Sequence, residues 1–255
     1  MDIHRFWNHP ERSASGQKPA IATSTHSVTT NEMDSSFLIS KKSEKKCSLP
    51  ASGHPELNQV FFLRHLALAE AQRQHYGDAL NILGHLIECS PNKAEDYSNR
   101  GLIYFRSGQL ANALKDYNTA LSLNPRLDKA YNNRANYYAA QGQLQKAISD
   151  YDHAIDLNPY NIRARLNQGI TFREMKHYDA AIACFDTALI FGKLKGHLYA
   201  ERGRTYHLMG DWNCAISDYH SALTYLNRDS LVNNKVCEQL LSQVSRWLEE
   251  LKSLN

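Results

Sequence analysis

Apolar positions recur along this chain on two scales. At short range they follow helical spacing. Gly101 and Tyr104 are three residues apart and share a face, while Ala113, Tyr117 and Ala120 follow at steps of four and three, one stripe of a 3.6-residue helix. At long range the same positions return every 34 residues. Tyr104, Tyr138, Phe172 and Tyr206 form one column, and Gly101, Ala135, Gly169 and Gly203 a second. Ala113, Ala147, Ala181 and Ala215 form a third; Tyr117, Tyr151, Phe185 and Tyr219 a fourth; Ala120, Ala154, Ala188 and Ala222 a fifth. Each unit therefore predicts two helices and a turn. Gly108, Gly142 and Gly210 sit at that turn, where a helix end needs left-handed backbone. Asn124-Pro125 and Asn158-Pro159 close two units, since proline cannot continue the preceding helix. The small columns predict close helix crossings, with aromatic rings filling the space beside them. One pair cannot bury its stripe alone, so neighbouring pairs must stack into a solenoid.

Tyr97, Gly101, Tyr104, Gly108, Ala113, Tyr117, Ala120 and Pro125 carry a resemblance to the tetratricopeptide repeat family. The resemblance implies an all-α, right-handed α-solenoid of about five stacked antiparallel helix pairs. The solenoid is expected over 56–229. Full-strength units span 94–127, 128–161, 162–195 and 196–229. A degenerate first unit, 60–93, is anchored by Leu63, Leu66, Ala67, Ala79, Leu83 and Pro91. The fourth unit departs from the pattern, ending Phe191-Gly192-Lys193 without a closing proline. With Gly192 and Gly196 at its end, a looser or differently angled junction is expected there.

The two ends of the chain differ from this pattern. Residues 1–55 are rich in Ser, Thr and Lys, lack periodic apolar positions and predict a disordered tail. Two islands within it, Phe37-Leu38-Ile39 and the lysine-rich run 41–46, read as a solvated tail, with a docking motif or an organelle transit peptide as alternatives. At the other end, 230–255 predicts an amphipathic helix. Cys237, Leu240, Val244, Trp247, Leu251 and Leu254 form its stripe, widened by Leu241 and Leu248. That helix is expected to cap the apolar flank of the last unit. A coiled-coil seam for self-association is possible but not favoured, because the stripe is short and wide.

Composition narrows the function classes. The net charge is +3, an ordinary soluble balance. No apolar run approaches the ~20 residues of a membrane span, and the start lacks the apolar core of a secretory signal. Five cysteines without a CxxC pair read as reduced thiols in a cytoplasmic compartment. No HExxH, GxxxxGK[ST], GxSxG or GxGxxG motif occurs, so no catalytic residue is assigned and the chain reads as a non-enzyme. The twelve histidines are dispersed, and neither a metal nor a cofactor is expected. Residues 56–255 hold 22 Lys and Arg against 21 Asp and Glu, leaving no basic footprint for nucleic acid.

Polar columns carry the remaining information. Arg100, Arg134 and Arg202 share one column, and Asp116, Asp150 and Asp218 another. The fourth unit lacks both, with Gln168 and Cys184, and the first lacks both, with Leu66 and Ile82. Joint presence predicts an Arg–Asp contact bracing the two helices of one unit. Asn99, Asn133 and Asn167 form a column one residue earlier, turned about 100° from the braces. By resemblance this column lines the concave groove, with Asn132 and Asn136 beside it and Lys129, Arg163, Arg173 and Arg204 supplying positive charge. An asparagine amide both donates and accepts, so a ladder of them suits an extended peptide backbone.

The expected function is a protein–protein adaptor or scaffold holding an extended peptide or a helix of its partner in that groove. Some relatives in the family clamp the terminal carboxylate of a chaperone tail, which suggests a co-chaperone alternative. Arg64, Asn99 and Lys129 match three of that clamp's five positions, while Leu68 and Asn133 depart from it. The other alternative is an assembly factor using its convex face or capping helix.

Overall fold

The computed structural model describes residues 55–230 and 235–252. The tail with its two islands, Cys47 and Leu254 lie outside the described residues. Helices and no strands occur among those described. In chain order they are α1 (Pro55–Gln72), α2 (Tyr76–Cys89), α3 (Ala94–Arg106), α4 (Leu110–Leu123), α5 (Asp128–Ala140), α6 (Leu144–Leu157), α7 (Ile162–Glu174), α8 (Tyr178–Ile190), α9 (Lys195–Met209), α10 (Trp212–Ser230) and α11 (Lys235–Lys252). Each packs on the next. The odd-numbered helices from α1 to α9 also touch their counterparts one unit away, which makes them the inner layer of a stacked solenoid.

The small columns are where paired helices meet. A Cβ on Gly101 would lie 2.8 Å from the Tyr117 ring, one on Gly169 2.6 Å from Phe185, and one on Gly203 2.9 Å from Tyr219. The rings of Tyr117, Tyr151, Phe185 and Tyr219 are fully buried behind them. The turn column behaves as its glycines predict. Gly108, Gly142 and Gly210 have φ of 80°, 71° and 84°, and Gln74 and Lys176 hold the same left-handed state at 71° and 62° in the units that lack glycine. The closing Asn side chains form short turns: Asn124 Oδ1 accepts from the Arg126 N–H at 3.0 Å and Asn158 Oδ1 from the Tyr160 N–H at 3.2 Å.

The fourth junction resolves its two glycines into different jobs. Gly192 turns the chain at φ 73°. Gly196 is buried, and a Cβ there would lie 2.7 Å from Leu226 Cγ, so it permits close packing between α9 and α10. Leu194 between them is also left-handed, at φ 55°.

Helix α11 caps the stack. Cys237, Leu240, Val244, Trp247, Leu248 and Leu251 join one core with Ala215, Tyr219, Ala222 and Leu226 of α10. The stripe that a coiled-coil seam would need is thereby covered within the chain. Cys184, Cys214 and Cys237 are free thiols. Cys89 departs from the expected reduced state, being disulfide-bonded.

Candidate peptide-binding groove

The braces set the frame of the groove. Arg100 donates to Asp116 through Nε at 2.7 Å and Nη2 at 2.9 Å. Arg134 holds Asp150 at 2.7 and 2.9 Å, and Arg202 holds Asp218 at 2.8 and 2.7 Å. All three carboxylates are buried, and hydrogen bonding to them raises each guanidinium pKa against the opposing effect of burial. Each guanidinium also lies between two tyrosines of its own helix, three residues before and four after. The pairs are Tyr97 and Tyr104, Tyr131 and Tyr138, and Tyr199 and Tyr206, all within 5.9 Å.

The braces also reach backwards between units. Arg134 Nη1 donates to Asn118 at 2.8 Å, Gln168 Nε2 donates to Asp152 at 2.6 Å, and Arg202 donates to Asp186. Asn118, Asp152 and Asp186 are again 34 apart, so this column was available in the sequence and was overlooked. In the fourth unit the brace becomes a neutral contact, with Cys184 Sγ donating to Gln168 Oε1 at 3.4 Å.

Against this frame the inner helices enclose an open groove of about 580 Å³. Its lining includes Asn99, Asn132, Asn133, Asn136, Asn167, Lys129 and Arg163, all seven of which the sequence assigns to the groove. Arg204 lies apart from them. Its guanidinium sits 5.0 Å over the Trp247 ring of the cap, because α11 folds against the inner face of the last unit. Arg173 is likewise committed, donating to Glu201 Oε2 at 2.6 Å.

The asparagines do not simply face outward. Asn167 is 2% exposed. Its Nδ2 donates to Asn136 Oδ1 at 2.9 Å and approaches Asn132 Oδ1 at 3.4 Å. Asn136 Oδ1 also accepts from the Tyr151 hydroxyl at 2.6 Å. Asn132 contacts Asn133 at 3.4 Å, and Asn133 Nδ2 donates to Ser98 Oγ at 3.3 Å. The column is thus a hydrogen-bonded floor running from α3 to α7. One acceptor is left over: Asn167 Oδ1 is buried without a hydrogen-bond partner.

Charge in the groove is unbalanced. Arg106, Lys129, Arg163 and Lys193 line it against one carboxylate, Asp128. Asp128 is itself held by Asn158 Nδ2 at 2.9 Å and Asn161 Nδ2 at 3.0 Å. Sequence reasoning did not include Arg106, Lys193, Tyr160 or Leu194, because the last three stand in connecting turns where the period gives no orientation. Away from the groove, Glu70, His75 and Asp78 bring ligand-type atoms within 4.8 Å of one another. Glu70 there is already bonded to Arg73 at 2.9 Å and to His75 at 2.8 Å, which makes the group an ion-pair cluster at the α1–α2 turn.

Helix pairs in register, braced within and between units around an inner polar groove, define a helical-repeat protein. Family models agree. A TPR repeat model matches residues 101–142, and tetratricopeptide repeat models match 128–161 and 162–189. Residues 101–189 therefore carry tetratricopeptide repeats. Among solved structures, TTC0263 from Thermus thermophilus is 20% identical with a TM-score of 0.59, over 71% of this chain and 99% of that one. PilF of Pseudomonas aeruginosa is 17% identical with a TM-score of 0.60, over 77% and 97%. MamA is 19% identical with a TM-score of 0.55, over 64% and 96%. At these identities the likeness is one of fold. A search of curated proteins finds no match. Proteins of this fold generally mediate protein–protein interactions, and no described helix is long and apolar enough to cross a membrane.

Proposed function

We propose that this protein is an adaptor whose concave groove holds an extended segment of a partner protein. The observation that carries the reading is the open groove of about 580 Å³ lined by Asn99, Asn132, Asn133 and Asn136, whose amides both donate and accept. The interlocked asparagines are preorganised, which lowers the ordering cost of binding. Among the alternatives, chaperone-tail capture is weakened at Arg64. That side chain donates to the buried Asp96 at 2.5 and 2.8 Å and is not available as a clamp cation. Use of the cap as an assembly surface is weakened because its apolar stripe is already buried.

The test is capture of partners by the full chain, by Asn99→Trp, and by a deletion of residues 1–54. Asn99 lines the groove and is half-buried, so a bulky ring there plugs the groove without cutting the network beneath. Capture should survive the deletion and fail with the plug. Capture that survives the plug, with the variant folded by circular dichroism, would remove this reading.

A further inference from the structure

One end of the groove differs in chemistry from its asparagine floor. Tyr160, in the α6–α7 turn, lines it and is 75% exposed. Its ring packs edge-on against Phe191 at 5.3 Å. Leu194 lines the same end, held in left-handed backbone that L side chains disfavour. Ile190, 80% exposed, stands beside Phe191. Phe191 and Leu194 come from the segment in which the fourth unit lacks its closing proline, and they meet Tyr160 from the turn that closes the third unit. Lys129, Arg163 and Lys193 are exposed in the lining, and none has an ion pair among the described residues.

We propose that the lip of Tyr160, Phe191 and Leu194 is a subsite for one bulky apolar side chain of the bound segment, and that acidic residues flank that side chain. The inference rests on the groove reading above and adds the partner's composition. The exposed Tyr160 ring, held edge-on by the half-buried Phe191 beside Leu194, offers a face to a ring or a branched chain. Uncompensated cations beside it attract carboxylates and repel a basic segment. Charge also disfavours the chain's own tail as occupant. Around its apolar triplet Phe37-Leu38-Ile39, Glu32, Asp34 and Glu44 are outnumbered by Lys41, Lys42, Lys45 and Lys46, so the segment carries the groove's own sign.

The experiment uses the full chain and three labelled heptapeptides read by fluorescence anisotropy. The first is Glu-Asp-Glu-Trp-Glu-Asp-Glu, the second replaces its Trp by Ala, and the third replaces its acidic residues by Lys. The first should bind, the second about tenfold more weakly, and the third not detectably. The substitution Tyr160→Ala should weaken the first by about tenfold and leave the second unchanged. The proposal is overturned if the first peptide does not bind, if the first two bind alike, if the basic peptide binds as well as the acidic one, or if Tyr160→Ala has no effect. Failure of the groove reading looks different: the acidic peptide would then bind Asn99→Trp as tightly as wild type.

Discussion

The third and fourth units solve the same problem with different chemistry. In the third, Arg134 braces Asp150 from between Tyr131 and Tyr138. In the fourth, Gln168 meets Cys184, and Arg165 and Phe172 stand where the two tyrosines would be. The backward contact survives in both, to Asn118 and to Asp152. The brace is therefore replaced whole. A lone Arg or a lone Asp at this depth would leave a partly buried charge unpaired, which costs more than a well-made pair gains. Joint loss leaves a neutral pair that is weak but not harmful. The fourth unit is also where the closing proline disappears, and it supplies Phe191 to the lip, so its framework and its groove edge depart together.

The sharpest way to break this comparison is to break one brace. Asp150→Ala strands Arg134 and should lower stability by about 2–3 kcal/mol, discounted from the fully buried case because the guanidinium reaches water. Equilibrium urea unfolding measures it; Cys184→Ala, its counterpart in the fourth unit, should cost less than about 1 kcal/mol. Next in size is rescue. Arg134→Gln with Asp150→Cys copies the fourth unit, and the double variant should recover more than about 1 kcal/mol relative to Asp150→Ala. A double variant as unstable as the single one would show that the brace is not replaceable as a module.

Smaller effects sharpen the turn column. Lys176 is the fourth unit's left-handed residue where the third has Gly142. Lys176→Gly should raise the unfolding midpoint by the equivalent of about 0.5–1 kcal/mol. The smallest effect is a pH dependence in the last unit. Burial, reinforced by Arg204, lowers the His207 pKa below its ordinary 6.5. The folded state thus disfavours the charged ring, so the unfolded state binds the extra proton and stability falls as pH drops below about 6.5. His207→Gln should flatten that slope by less than about 1 kcal/mol between pH 7 and 5, read from thermal melts.

Much of the fold could be read in advance, because repetition supplies its own internal comparison. The Gly101, Gly169 and Gly203 column marked the helix crossings, the turn glycines took the expected left-handed backbone, and the joint Arg and Asp columns fixed three bidentate contacts. The groove was only partly legible. Seven residues assigned to it do line it. Period and helical angle gave their direction but not their depth, so the burial of Asn167 and its bonds to Asn132 and Asn136 were not foreseen. Arg204 shares the Asn136 column, yet the cap reaches it, and a column carries no knowledge of what covers the last unit. The lip was missed because Tyr160 and Leu194 stand in turns outside the helical stripes.

The central claim is that partners meet the inner helices. A photo-cross-linking amino acid at Asn99, on the groove, and in a second variant at Lys115, exposed on the outer helix α4, tests it directly in the full chain. Covalent partner adducts from position 99 and none from position 115 are predicted. Adducts from position 115 with none from position 99 would contradict the account.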